Sequence, residues 1–366
     1  MKITSVEAIP LALPFTHDGP PTGFGGTEWT TLGVLIVKVE TDEGITGYGE
    51  AFGYNAIPAT KAAIETLVAP QVIGRDPTRI SGLMDELALK LHIFGRYGIT
   101  MFALSGLDIA LWDIAGKAAG LPLHRLLGGA GRDRIEAYAS LFKYDDAEVV
   151  ARLSKAAVAA GYRYVKLHET TAAPVAAARR AVGQDVAIML DVNCAWSPKE
   201  AARMAEILAP ESLHWLEEPL WPPENCEALA DLRMDSGTPI ASGENACTAW
   251  QFAQMFDAGA VDYAQPSVTK VGGVTEFRKV MALAETANVT LAPHSPYFGP
   301  GFLASLHLIA ASRDVECIER FHVTLEASLF GEAIEPVAAH IAVPQGPGLG
   351  LDPDPEVIAK CRVGGE

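Results

Sequence analysis

The fold is decided by YVKLH (164–168), VAIMLDVN (186–193), LHWLEEP (213–219) and TPIASGE (238–244). Each is a short aliphatic or β-branched run that reaches a charged residue, and each is followed by a stretch with helical periodicity. Working outward, the same unit recurs as RIEAYASL (134–141) on one side and as VDYAQPS (261–267), VTLAPHS (289–295) and ECIERF (316–321) on the other. Eight strands, all but the last followed by a helical pattern, predict an α/β fold with a parallel sheet closed into a TIM-type barrel. An open doubly wound sheet is the alternative, but no GxGxxG turn follows the first strand.

The polar residues at the strand ends fall in phase. Lys166, Asp191, Glu217, Glu244, Ser267, His294 and Glu319 are separated by 25, 26, 27, 23, 27 and 25 residues, one strand–helix unit each. In such a barrel these ends converge on one mouth, so the seven side chains are expected to share a cavity. Asp191, Glu217 and Glu244 lie on successive strands. Converging carboxylates repel unless a cation holds them, and a hard divalent ion such as Mg²⁺ suits oxygen ligands with positions left open. Asn193 is either a second group on the Asp191 side of its strand or a turn residue. Glu218 is expected to face outward as a pairing partner.

Upstream, residues 1–125 read as an α+β unit. A first strand, KITSVEAIPL, precedes a hairpin, TLGVLIVKVE and ITGYGEA, joined by TDEG. The Gly/Pro/Thr-rich HDGPPTGFGGTEWT (17–30) reads as a mobile loop, and helical patterns lie near 58–68, 77–92 and 98–119. Gly120 and Pro122 supply the last helix with a stop. Asp113 and Lys117, four apart, are expected to form a surface pair. KVGGV (270–274) resembles an anion cradle but carries no phosphate assignment. Cys194 is expected to be buried filler.

The chain has 366 residues, 49% of them apolar, and 28 − 45 = −17 formal charges. Disorder is excluded by that apolar content, and nucleic acid or an anionic membrane makes a poor partner for so negative a surface. No apolar run reaches the roughly 18 residues needed to span a bilayer. The five cysteines are odd in number and lack a CxxC, against a disulfide framework or thiolate zinc site. A cytoplasmic protein with a small-molecule partner is expected.

ALSGLDIALWDIAGKAAGLPLHRLLGG (103–129), together with LDVN, WLEEP and SGEN, resembles the mandelate racemase and muconate-lactonizing branch of the enolase superfamily. The resemblance covers essentially the whole chain. It implies an N-terminal capping domain (1–125), a modified (β/α)7β barrel (126–329), a C-terminal segment returning to the cap (330–366), and usually a homo-oligomer. It implies Mg²⁺ on Asp191, Glu217 and Glu244, and removal of a proton α to a carboxylate. Dehydration of a sugar acid is the leading reaction; a racemase, epimerase or cycloisomerase is the alternative, and a non-catalytic metal-bearing binding protein a third.

The resemblance also suggests roles for single residues. Lys166 matches the general base and, beside Mg²⁺ and a second cationic group, is expected to have a depressed pKa. His168 stands where the family more often has a second Lys, either assisting by hydrogen bonding or as a passive neighbour. His294 matches a base or acid that an Asp orients in relatives, yet Ser267 occupies that place. A serine can hydrogen-bond an imidazole but adds no charge, which disfavours a two-base racemase. Glu319 matches a donor to the substrate carboxylate and is expected to be protonated, unless it pairs with Arg320. Phe24 and Tyr54, with Trp29, fall in two loops that resemble the family's closing loops, which makes them candidates either for substrate contact or for packing the domain interface. Ser267 and Asn193 join them as candidate contacts.

Overall fold

The computed structural model describes residues 1–24, 27–129 and 131–364. It opens with an antiparallel sheet in which β1 (Ile3–Thr16), β2 (Thr31–Thr41) and β3 (Thr46–Ala51) are neighbours in that order. Successive residues of a strand point to opposite faces. Leu35, Val37 and Val39 therefore join one core with α1 (Ile80–Lys90) and α2 (Ile99–Ala119), while Leu32, Val34 and Ile36 join the core of the barrel. Two cores share one strand.

Helix α2 lies so close to β3 that a Cβ on Gly49 would sit 1.9 Å from the Gly106 carbonyl oxygen. That contact explains the glycines in GYGE and ALSGL. Gly120 ends the helix in the left-handed conformation, as its sequence predicts. By length and composition α2 would pass as a membrane-crossing helix, against the expectation from run length, but 78% of its apolar window is buried inside the protein.

The barrel strands are β4 (Arg134–Ser140), β5 (Tyr164–Leu167), β6 (Ala187–Asp191), β7 (Trp215–Glu217), β8 (Ile240–Ser242), β9 (Tyr263–Ala264), β10 (Thr290–Leu291) and β11 (Cys317–Phe321). They pair in parallel in chain order, β11 returns to β4 in the register Ile318–Ala137, and a parallel bridge from Leu291 to Val315 closes the ring. Between them run α3 (Ala147–Ala159), α4 (Ala172–Val182), α5 (Pro198–Leu208), α6 (Cys226–Ser236), α7 (Thr248–Asp257), α8 (Gly273–Ala287) and α9 (Pro300–Ala311). This is the (β/α)7β barrel, with the antiparallel sheet and its helices as a cap.

Two cap carboxylates enter the N-termini of barrel helices, where free N–H groups and the helix dipole favour negative charge. Asp108 on α2 accepts from the Thr275 amide (3.0 Å) and hydroxyl at the start of α8. Glu50 on β3 accepts from the Gly301 amide (2.8 Å) at the start of α9. The anion beside KVGGV is thus a side chain of the protein. Asp113 is equally internal, which corrects the surface reading of its pair with Lys117. Asp113 is buried and accepts from the Tyr48 and Leu349 amides (2.9 and 2.8 Å), while Lys117 also reaches Asp352. The C-terminal segment comes back to the first strand: β12 (Thr324–Leu325) pairs with β1, β13 (His340–Ala342) with β4, and α10 (Pro355–Cys361) delivers the Val363 amide to the Pro10 carbonyl at 3.0 Å.

Candidate active site

The barrel interior has an apolar layer made by Tyr138, Met189, Trp215, Ala241, Ala292 and Cys317. Two residues further along their strands, on the same face, come Ser140, Asp191, Glu217 and Glu319, with Lys166 two beyond Tyr164, while His294 follows in the loop after β10. Period-two geometry therefore lifts the polar residues into a separate layer at the mouth. The apolar layer also holds one of them, since Trp215 Nε1 donates to Glu217 Oε2 at 2.8 Å.

Asp191, Glu217 and Glu244 each offer a carboxylate oxygen, and these oxygens lie within 4.8 Å of one another. Asp191 Oδ2 is buried without a well-aligned hydrogen bond, at 3.3 Å from His168 Nε2 and 3.5 Å from Lys166 Nζ. Burial works against its charge, yet Lys166 and His168 hold it well below the usual carboxylate range. Burial pushes Glu217 the other way, to about 8, with Asp191 and Glu319 adding to the rise against Lys166. Carboxylates that divide their pKa values in this way crowd one another's charge. The donor set, all hard oxygen and buried, fits a divalent cation.

Lys166 is a buried ammonium ringed by acids, with Glu217 at 2.8 Å, Glu319 at 2.9 Å and Asp191 at 3.5 Å. Burial alone would lower its pKa; the carboxylates outweigh it and hold the pKa well above the ordinary lysine value. The neighbours that dominate are anions, whereas the depression was expected for a lysine beside Mg²⁺. His168 does not reach toward a substrate position. Its Nδ1 faces the Leu141 carbonyl and its Nε2 faces Asp191, whose charge raises its pKa despite burial.

Glu319 corrects a second expectation. Burial favours the neutral acid, but Lys166 and His294 pull its pKa down to about 2. It accepts from Ser140 Oγ (2.9 Å) and the Ser295 amide (3.1 Å), so it is an ionised partner of Lys166 and not a donor. Arg320 turns outward to Glu335 and stacks on Phe298. Glu218, expected outside, is buried at the mouth within 3.5 Å of Asn245 Nδ2 and Cys194 Sγ, and burial with Glu244 and Asp191 raises its pKa well above the ordinary value. Cys194 is only half-buried beside it, not core filler. The strand ends at Asp191, so the same-face argument for Asn193 fails. Asn193 is an exposed turn residue with φ +46° whose amide donates to Asp191 Oδ1 at 2.8 Å.

Opposite Lys166, His294 Nε2 lies 3.1 Å from Glu244 Oε2, and burial lowers the ring's pKa to about 4. Ser267 does not touch it. Ser267 is fully buried and its hydroxyl is taken by Tyr297, whose own hydroxyl is 3.4 Å from His294 Nδ1. Ser267 is therefore not placed for substrate contact.

Two neighbours escaped the sequence reading, Tyr297 and Lys270. Lys270 is buried, with its Nζ 2.9 Å from Asn245 Oδ1, 3.4 Å from Glu244 and 4.3 Å from the centre of the Phe52 ring. The signal for both was proximity in sequence, three residues beyond a strand-end candidate. One polar residue per strand was too strict a rule. From the cap, Tyr54 leans on Phe52 and Trp29, and the charges of Glu244 and Glu319 add to burial in raising its hydroxyl pKa. The Phe24 side chain lies outside the described residues.

Comparison with known proteins agrees with this geometry. Residues 16–128 match the mandelate racemase / muconate lactonizing enzyme N-terminal domain, and residues 148–357 match the enolase C-terminal domain-like family. The D-galactarolactone cycloisomerase of Agrobacterium fabrum is 32% identical, over 90% of this chain and 91% of that protein. The D-galactonate dehydratase of Ralstonia pickettii is 33% identical, over 88% and 90%. Among solved structures, an enolase superfamily member from Polaromonas sp. JS666 superposes with a TM-score of 0.89 at 34% identity, covering 99% of this chain and 97% of that one. A mandelate racemase/muconate lactonizing protein from Paracoccus denitrificans, complexed with magnesium, gives 0.88 at 27% identity, covering 99% and 98%. With both domain families matched in order and relatives aligned along most of its length, this chain belongs to the mandelate racemase / muconate lactonizing enzyme family of the enolase superfamily.

Proposed function

We propose that this protein is a Mg²⁺-dependent hydro-lyase that dehydrates a sugar acid to a 2-keto-3-deoxy acid. The observation that carries the reading is a buried ammonium, Lys166, on one side of a buried carboxylate trio, with an imidazole, His294, on the other. The dehydratase among its relatives supports the substrate class, and the magnesium-bound structure supports the ion. Asp191, Glu217 and Glu244 would hold the cation, whose charge stabilises the enediolate formed when a weakly acidic α-proton leaves.

Lys166 takes the C2 proton. With Asp191 and Glu217 engaged as ligands, it loses two of the acids that otherwise retain its proton, and Glu319 remains to pair with the ammonium that forms. His294 supplies a proton to the C3 hydroxyl as its C–O bond breaks, so water leaves and the C2–C3 enol ketonises. Tyr54 covers the mouth from the cap. We divide the chain into a cap (1–125), a barrel (126–329) and a closing segment (330–366). The five free cysteines support a reducing, cytoplasmic setting, and we expect a homo-oligomer.

The cycloisomerase relative favours a second reading in which the same enediolate expels an internal oxygen. Mass spectrometry of sugar acids incubated with protein and Mg²⁺ in D₂O separates the readings. Loss of 18 mass units with deuterium retained in the product establishes dehydration. A product of unchanged composition apart from deuterium establishes isomerisation, and silence across acid sugars with ligand-induced thermal shifts points to a binding protein.

A further inference from the structure

His294 has two different neighbours, one on each ring nitrogen. Nε2 faces Glu244 Oε2 at 3.1 Å, and Nδ1 faces the Tyr297 hydroxyl at 3.4 Å, which is in turn hydrogen-bonded to Ser267 Oγ. All three relay side chains are buried. We propose that Ser267 and Tyr297 form a hydroxyl relay that points its protons at Nδ1, fixing His294 as the Nε2–H tautomer, so that the ring presents an N–H and not a lone pair at the mouth. Tyr297 is thereby a positioning residue. The donor's use in expelling water rests on the dehydratase reading; the tautomer itself does not.

The direction of the relay follows from counting hydrogens. In its neutral form the imidazole carries one N–H, and its partners decide which nitrogen keeps it. A carboxylate beside Nδ1 could only accept; it would hold the proton on Nδ1 and leave Nε2 as a base. A hydroxyl can donate or accept. If Ser267 donates to Tyr297, Tyr297 to Nδ1 and Nε2–H to Glu244, every proton has an acceptor. The reverse order sends Nδ1–H to Tyr297 and the phenol proton to Ser267. The Ser267 proton then has no other recorded acceptor among the described residues, and the Nε2 lone pair meets a carboxylate oxygen at 3.1 Å.

Each such fault in a buried polar group costs free energy, so the first order is the more stable. A further hydroxyl, Thr269 Oγ1, is buried without a well-aligned hydrogen bond of its own and faces the same phenol, to which it can donate in either order. The distance of 3.4 Å is long, as hydrogen bonds to catalytic groups often are before substrate binds.

The test is ¹⁵N NMR of histidine-labelled full-length protein, with and without Mg²⁺, with the His294 signals assigned through His294→Gln. The expected spectrum shows a protonated, pyrrole-type Nε2 and a pyridine-type Nδ1. In Tyr297→Phe the two tautomers should mix, and kcat for dehydration should fall about tenfold or more with KM nearly kept. Ser267→Ala should produce a smaller change of the same sign, because Thr269 remains. A pyrrole-type Nδ1 in the unmodified protein overturns the proposal, as does a tautomer indifferent to Tyr297→Phe. Because the spectrum needs no substrate, a correct tautomer in a protein that dehydrates nothing upholds the relay and rejects only the dehydratase reading.

Discussion

The two sides of the barrel mouth are made of different materials. Around Lys166, three acids lie within 3.5 Å of one ammonium. Around His294, one nitrogen meets a carboxylate, but the other meets a chain of neutral hydroxyls. The first side is organised by charge, the second by hydrogen-bond direction. Charge on the Lys166 side can be altered by a cation that takes up the carboxylates. The His294 side has less charge to redistribute, so its polarity is set by which group donates. With the proposed roles, Lys166 as base and His294 as oriented acid, this is the pairing that elimination needs.

Lys166→Ala should break the charged side outright. Deuterium exchange at C2 and product formation should both fall by about 10³-fold or more, read by mass spectrometry in D₂O. Glu217→Gln tests the cation. The unmodified protein at 100 times its Mg²⁺ Kd should gain about 2.7 kcal/mol in unfolding free energy, and the variant should lose most of that thermal shift. On the other side, His294→Gln should separate the two half-reactions: C2 exchange persists while dehydration drops about 10²-fold. Equal loss of both would make His294 as central to proton abstraction as Lys166 and erase the asymmetry.

Glu50, away from the mouth, shows what burial does without a nearby cation. Burial raises its pKa to about 8 against the amides of Gly301 and Gly299 that lower it. The native state thus binds a proton that the unfolded chain releases near pH 4.5. Its contribution to stability is complete below that value and is lost as pH rises through about 8. Between the two, the slope approaches about 1.4 kcal/mol per pH unit. In Glu50→Gln this part of the decline in Tm on alkalinisation should disappear. The smallest effect belongs to Asn193→Ala. Its backbone amide holds Asp191 but its side chain is exposed in a turn, so kcat/KM should change less than about threefold.

The eight strands and the phase of their polar ends were legible because both arise from simple periods. Alternation of two places a residue on the barrel interior, and a repeat of 23 to 27 residues returns the chain to the same mouth. That was enough to collect Lys166, the carboxylate trio, His294 and Glu319. It failed at Asn193, Tyr297 and Lys270, which lie in the loops after their strands; Glu244 and His294 lie in such loops too, and it was the repeat length, not the alternation, that collected them. Glu218 failed for a related reason: its φ of +42° takes it out of the strand conformation that would have turned it outward.

Charge states were the less legible part. Glu319 was expected to keep a proton; its contact with Lys166 at 2.9 Å holds its pKa low instead, and that contact together with Glu217 at 2.8 Å holds the Lys166 pKa high. Asp113 looked like a surface acid because only its helical neighbour was visible, while the amides of Tyr48 and Leu349 that enclose it come from β3 and the C-terminal segment.

The sequence by itself determined the barrel, the cap and which side chains meet at the mouth, because periodicity is a local property that survives without coordinates. Only the tertiary structure decided which of those groups carry charge and which way their hydrogen bonds run. Those quantities depend on burial and on partners from distant segments, and no spacing along the chain encodes them.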